Sequence, residues 1–315
     1  MKLASYKDGS RDGQLVVVSR DLKTAHYATG VATRLQHLLD DWGFVSPQLQ
    51  DIYDSLNQGR LRHAFEFDPS RCAAPLPRAY QWVSASSDRA EASPPPEADA
   101  LPASQSEAAP TMLRGASDEF SGPRDDIEWP LEAGGVEVAA GLAVITGDVP
   151  QGASPSQAIE GVRLLALVGE VSLRHVRQAE LARGVGRVQS GLMTAFGPVA
   201  ITPDELGSAW RGGRVQLSIR VEKNQRSVGR FDMAKAMPFH FGELISQLCR
   251  TRAVRAGSIV GSGPFGPSGD TLQFGDQVRI ALETDLGEPL FGEIDQSFVS
   301  PEEARGEHRP GALAS

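Results

Sequence analysis

Three observations predict a fold that mixes strands with helices. Residues 136–150 (VEVAAGLAVITGDVP) are dominated by apolar side chains and close on Gly147-Asp148 ahead of Pro150, the pattern of a strand running into a turn. Residues 216–221 (QLSIRV) alternate apolar and polar, which marks a second strand. Leu35, Leu38, Leu39 and Trp42 recur at i, i+3, i+4 and i+7 and give one apolar helix face.

The elements follow in order. Residues 2–6 and 14–19 read as two strands across a polar turn that holds Asp8-Gly9 and Asp12-Gly13. After the Leu35 helix, a second helix is expected to start after Ser46, with Pro47 at its first position and Leu49, Ile52 and Leu56 on one side. Residues 1 to about 65 therefore suffice for a small N-terminal α+β domain, whose boundary is set at residue 75. Residues 67–76 read as extended because of their prolines. Residues 84–110 (SASSDRAEASPPPEADALPASQSEAAP) contain no aromatic and no β-branched residue. Such a stretch buries too little apolar area to offset the entropy of ordering it, so a disordered surface loop is expected over 84–112.

Residues 117–127 form a turn-rich approach to the Val136 strand. Ser154-Pro155-Ser156-Gln157 is a helix start, with Ser as N-cap, Pro first and Gln as reciprocal cap. The apolar run 164–173 is interrupted by Gly169-Glu170, and an unpaired carboxylate within a buried strand is costly. Residues 194–203 read as another strand, and Asn224-Gln225-Arg226 as a turn. Phe241, Leu244, Ile245 and Leu248 share a helix face. Residues 258–270 are expected to form a tight loop. Phe274-Gly275-Asp276 opens a hairpin in which 277–284 pairs with 289–294. The larger domain runs over 76–300, and the polar tail 301–315 is expected to fray.

Composition narrows function. The chain has 315 residues, 40% of them hydrophobic, and a formal charge of −9, so broad attraction to nucleic acid or an anionic membrane is not expected. Cys72 and Cys249 form neither a metal spacing nor a disulfide framework. The start MKLASYKDGSRDG lacks an apolar leader core, and no run reaches the length of a membrane span. A cytoplasmic protein is expected.

Six passages together resemble the fumarylacetoacetate hydrolase family: RGASDEFSGPRDDI (114–127), AVITGDVPQGASPSQAIEGVRLLALVGEVSLR (143–174), VQSGLMTAFGPVAITPDELG (188–207), MPFHFGELI (237–245), RAGSIVGSG (255–263) and FGDQVRI…LFGEIDQ (274–296). Their order and spacing match over most of residues 113–296, and the leading region fits a subgroup with its own first domain. The resemblance implies an α+β fold built on a rolled, mixed β-sheet, usually paired as a homodimer. It also implies hydrolysis of a carbon–carbon bond in β-diketo acids such as acylpyruvates, with some relatives decarboxylating or isomerising oxo acids. In the family a Mg²⁺ or Ca²⁺ ion chelates the substrate and stabilises the enolate, and a His-based system activates water.

The family's site residues carry over badly. Its paired glutamates, spaced E-x-E on a strand, fall on Ala139 and Gly141. The next ligand, an Asp in a passage like NDVSLR, falls on Glu170 of GEVSLR. The first acidic ligand follows a passage like YQWV, which is residues 80–83 here, and the next residue is Ser84. The catalytic His falls on Glu91 if no gap intervenes, and the Lys of a passage like QSKP falls on Gly191. The stretch after GSG is shortened. Arg174, Gln189, Ser190 and His240 remain. His240, at an apolar helix start, reads as a capping histidine, and Arg174 as an ion-pair partner. Gln189 and Ser190, together with Arg174, are expected to face the substrate pocket.

The first expectation is therefore a non-catalytic or strongly impaired homologue, a pseudoenzyme with its metal site lost, acting as a binding or partner subunit and needing no cofactor. It would form a homodimer, or a heteromer that stabilises an active relative. The alternative is a rebuilt site. Glu137 has the parity of Ala139 and Gly141 on the strand, so Glu137 and Glu170, helped by Asp88 or Asp118, could hold one Mg²⁺ or Ca²⁺ for a small oxo acid.

Overall fold

The computed structural model describes residues 1–86, 109–129, 134–184, 186–266, 271–284 and 290–302. The two leading strands form as expected, β1 (Lys2–Tyr6) and β2 (Gln14–Val18), and β3 (Thr24–Tyr27) extends them into a meander. Helices α1 (Leu35–Asp40) and α2 (Trp42–Asn57) and the short β4 (Phe65–Glu66) follow. Trp42 opens α2 rather than continuing α1, because the chain breaks at Asp41 (φ −132°, ψ 50°). Pro47 consequently lies inside α2, not at its first position.

Next come β5 (Gln81–Ala85), β6 (Met112–Gly115), β7 (Ile127–Glu128), β8 (Val136–Thr146), α3 (Pro155–Ile159), β9 (Val162–Leu173), α4 (Arg174–Ala182) and β10 (Gly191–Ile201). The chain continues through β11 (Trp210–Arg211), β12 (Arg214–Val215), β13 (Ser218–Lys223), β14 (Arg226–Asp232), α5 (Met233–Ala236), α6 (Phe241–Leu248), β15 (Ser258–Gly261), β16 (Gln277–Glu283) and β17 (Glu293–Val299).

Ten strands form one sheet in the order β4-β3-β2-β1-β10-β9-β8-β15-β5-β6. A second sheet has the order β14-β13-β16-β17-β7. Both are mixed: β15 runs parallel to β5 and β17 parallel to β7, against antiparallel neighbours elsewhere. The larger sheet passes from the leading strands into the rest through β1–β10 pairing, Lys2 opposite Ile201.

Strand β9 shows why its sequence lacks alternation. Leu165, Leu167 and Val171 pack toward the second sheet, into the core that holds Val221, Ile280 and Ile294. Leu164, Ala166 and Val168 face the opposite core, with Leu38 and Leu49 of the helices. A strand buried on both faces reads as a continuous apolar run.

Three expectations need correction. Residues 258–261 form β15, a strand between β8 and β5, not part of a loop. The partner of β16 starts at Glu293, with Arg279 opposite Asp295, because Leu290 and Phe291 are buried in the core instead of joining the ladder. Ser84 and Ala85 complete β5 and are buried, opposite Leu113 and Met112 of β6, so the expected loop does not start at residue 84. The rest of that segment, 87–108, lies outside the described residues, as does the tail from 303.

Candidate functional site

Side chains alternate across a strand, so Glu137, Ala139 and Gly141 of β8 share one face. Ala139 pairs with Glu170 and Glu137 with Ser172 across the β8–β9 ladder, which puts Glu170 and Ser172 on that face too. Glu137 and Glu170 are thus diagonal neighbours, roughly 7–8 Å apart at the backbone. They line an open cavity of about 570 Å³, with Trp82 and Ser84 from β5, Gly191 and Thr194 from β10, and Pro264 and Gly266 from the chain after β15.

The curl of the sheet closes this cavity. Three strand steps separate β5 from β9, roughly 14 Å in a flat sheet. Even so, the Ser84 hydroxyl donates to Glu170 Oε1 at 3.0 Å. Glu170 Oε2 is also met by Arg187 Nη1 at 3.3 Å, and both side chains are mostly buried. Glu137 is held by Arg174 and by Arg177 Nη2, the latter at 3.4 Å. Arg174 and Arg177 lie in the first turn of α4, which has no acidic residue there. The helix macrodipole disfavours cations at that end, and Glu137 supplies the compensating charge.

The two vacated positions are closed as well as neutral. A Cβ on Gly141 would stand 2.7 Å from the Gly263 carbonyl oxygen and 3.3 Å from Ser262 Oγ. Ala140 and Phe265 exchange two backbone hydrogen bonds of 2.8 Å, which lay residues 263–266 along β8. Gly266 lies so close to Ala139 that a Cβ on it would be 3.0 Å from the alanine's. A hard dication needs about six oxygen ligands. Ala139 and Gly141 offer none, main chain fills the space beside Gly141, and both surviving carboxylates are taken by guanidinium groups. Among the described residues, no group of three or more His, Cys, Asp or Glu side chains is placed to hold a metal ion. The described residues therefore do not fit Mg²⁺ or Ca²⁺.

Other expected site residues fall elsewhere. Arg174 is an ion-pair partner, as read from the sequence, but it does not line the cavity, which corrects its place among the pocket residues. Gln189 and Ser190 do not line the cavity, which corrects the expectation for both. Their backbone amides, with that of Val188, donate to the buried Glu180 carboxylate at 2.7, 3.3 and 3.0 Å. Burial pushes the Glu180 carboxyl up, but the Ser190 hydroxyl beside it and the hydrogen bonds from these amides outweigh that and hold it below the usual carboxylate range. His240 caps α6: its Nδ1 accepts from Glu243 N at 3.3 Å and Glu243 Oε2 accepts from His240 N at 2.7 Å. Gly191 lines the cavity, and a Cβ there would meet nothing within 4 Å. Asp118 stands exposed at the rim. Asp88 and Glu91 lie outside the described residues.

Sequence reasoning missed Arg177, Arg187 and Glu180. Arg177 carried a signal, since it follows Arg174 by three residues and shares its helix face. Arg187 carried none, because its contact with Glu170 is made from a loop.

A curled mixed sheet thus carries a cavity over its central strands. The model for the fumarylacetoacetate (FAA) hydrolase C-terminal domain matches residues 83–296, and that for the fumarylacetoacetase N-terminal domain 2 matches residues 1–78. The chain belongs to the fumarylacetoacetate hydrolase family. No curated protein matches it. Among solved structures it resembles maleylpyruvate hydrolase from Sphingobium sp. SYK-6 in complex with manganese(II) ion and pyruvate (16% identity, 95% of this chain and 99% of that one, TM-score 0.68). It is equally similar to fumarylacetoacetate hydrolase from psychrophilic Exiguobacterium antarcticum (17%, 95% and 99%, TM-score 0.68). A probable 2-hydroxyhepta-2,4-diene-1,7-dioate isomerase from Mycobacterium abscessus is likewise similar (20%, 95% and 99%, TM-score 0.67). At these identities the likeness concerns the fold.

Proposed function

We propose that this chain is a non-catalytic or strongly impaired member of its family, acting as a binding or partner subunit, as a homodimer or with an active relative. The observation that carries this reading is the closure at Gly141, where the Gly263 carbonyl stands 2.7 Å from the place a side chain would start. Loss of a ligand residue alone leaves a gap that water or a neighbouring carboxylate can fill. Main chain held there by paired hydrogen bonds leaves no such gap. The arginines on Glu137 and Glu170 support the same reading.

One observation favours a second reading. Glu137 and Glu170 line the same cavity, so a rebuilt site for a divalent-metal-dependent hydrolase or decarboxylase of oxo acids has two carboxylates to draw on. Thermal melts of the purified protein with Mg²⁺, Mn²⁺, Ca²⁺ or EDTA, each with and without oxalate as an enolate mimic, separate the two. A ligand that binds the folded state at a hundred times its Kd adds about 2.7 kcal/mol. The non-catalytic reading expects no metal response. A metal-dependent rise that oxalate enlarges, and that Glu170→Ala abolishes, would establish the rebuilt site instead.

A further inference from the structure

A second cavity, of about 900 Å³, opens at the seam between the two matched segments of the chain. Five charged side chains line it, Lys2 and Arg20 against Asp21, Asp204 and Glu205. Three of them are committed to the fold. Lys2 Nζ donates to the Arg20 carbonyl at 2.7 Å. Asp21 Oδ1 accepts from Ser19 Oγ at 2.7 Å and from Lys23 N at 3.1 Å. Glu205 is buried between the Met1 amino group at 3.1 Å and Arg20 Nε at 3.8 Å. That leaves one group of each sign facing water, Arg20 and Asp204, with side chains 67% and 70% exposed. Arg20 also lies over the Tyr53 ring, 6.0 Å from its centroid, and Asp204 stands 3.7 Å from the Met1 amino group. Two unusual backbone conformations flank the same cavity. Leu22, in the turn between Asp21 and Thr24, has φ +58°, and such strain concentrates at ligand clamps. Gly207, on the opposite wall, has φ 51° and ψ −126°, and a Cβ there would meet nothing within 4 Å.

From this we infer that the seam cavity binds a free α-amino acid with an apolar side chain, its carboxylate on Arg20 and its ammonium on Asp204. A zwitterion asks for one available group of each sign and for no net charge on the wall. A planar guanidinium takes a carboxylate through paired N–H donors. Arg20 and Asp204 lie close together, since Arg20 reaches Glu205 and Asp204 reaches the amino group that Glu205 holds. Leu56, Leu206 and Leu290 supply apolar wall for the ligand's side chain. The bare backbone at Gly207 lets a ligand approach the main chain closely. The site shares no lining residue with the cavity over β8 and β9 and does not depend on the non-catalytic reading above.

The test is calorimetric titration and thermal melting of the full chain in EDTA at fixed ionic strength. The probes are leucine, N-acetylleucine, leucinamide and glycine, the last three lacking in turn the ammonium, the carboxylate and the apolar side chain. Leucine is expected to bind and to raise the melting temperature. Each of the other three should bind more weakly by roughly threefold or more. Asp204→Asn alters an exposed side chain, so it should melt with the parent while weakening leucine by roughly threefold or more and leaving N-acetylleucine unchanged. Arg20→Gln should weaken leucine and leave leucinamide unchanged. No binding of leucine would overturn the proposal, and so would leucine binding that Asp204→Asn leaves unaltered. N-acetylleucine or leucinamide binding as tightly as leucine would overturn the zwitterion assignment, and glycine binding as tightly would overturn the role of the three leucines.

Discussion

Restoring a family carboxylate at Gly141 should damage this protein rather than revive it. In Gly141→Glu the new Cβ meets the Gly263 oxygen at 2.7 Å, and neither backbone is free to yield. Ser262 N donates to Leu142 O at 2.8 Å, Leu142 N donates to Ser262 Oγ at 3.1 Å, and Ala140 and Phe265 exchange two further bonds. Gly263 itself sits at φ +102°, a conformation set by the path of this segment. Admitting the side chain means parting at least the Ala140–Phe265 pair, about 1 kcal/mol for each bond. A carboxylate left without a partner beside a carbonyl oxygen adds about 1–3 kcal/mol. The total is about 3–5 kcal/mol, on the order of 10 °C in melting temperature for a chain of this size. Urea and thermal unfolding, followed by tryptophan fluorescence, would measure it, with Gly191→Lys as a control expected within about 0.5 kcal/mol of the parent. The reasoning fails if Gly141→Glu melts with the parent, or if it gains a rise with millimolar Mn²⁺ that the parent lacks.

Other perturbations read other parts of the site. Glu137→Gln leaves Arg174 and Arg177 without a carboxylate and should cost about 1.5–3 kcal/mol in urea unfolding with or without divalent metal; a loss seen only with metal present would identify Glu137 as a ligand instead. Glu180→Gln should destabilise by about 1–2 kcal/mol at pH 7 through weaker acceptance of the amides from residues 188–190. Because the folded Glu180 carboxyl lies below the usual value of about 4.3, its ionised form stabilises the protein above that pH. The gap between parent and variant should therefore narrow as pH falls through the folded value, and a gap unchanged down to pH 3 would contradict this. His240→Asn should retain stability within about 0.5 kcal/mol, since asparagine is a good N-cap, whereas His240→Ala should lose about 1 kcal/mol.

Much of the scaffold was legible because local chemistry decides it. The Ser154 capping box forms as read, with the Ser154 and Gln157 side chains satisfying each other's backbone amides. The His240 cap and the strand at 136–146 also stand where periodicity and capping put them. What failed depends on partners distant in sequence. The glycines of residues 257–263 look like turn punctuation, yet Gly261 lies inside β15 because the Trp82 ring leaves no room for a Cβ, 2.5 Å from its Cη2. Gln189 and Ser190 look like pocket residues, yet their amides serve Glu180 of the preceding helix, α4. The missing carboxylates at 139 and 141 were legible by position. The chain laid over them was not, since nothing in residues 263–266 announces a pairing with Ala140.

These changes form one coupled substitution of charge. Carboxylates crowded on one strand face repel one another until a dication relieves them. This cavity carries Ala139 and Gly141 on that strand face, and Glu137 and Glu170 are neutralised by groups tethered to the same chain. Through these pairs Glu137 and Glu170 are part of the packing of the sheet. A return toward metal binding would need Ala139 and Gly141 replaced, residues 263–266 displaced and Arg177 and Arg187 withdrawn together. Because these residues touch, their effects cannot add. Ala139→Glu and Gly141→Glu should each destabilise, and the double variant should depart from the sum of the two. Once either side chain has lifted residues 263–266 from β8, the second meets open space and should add less than it costs alone.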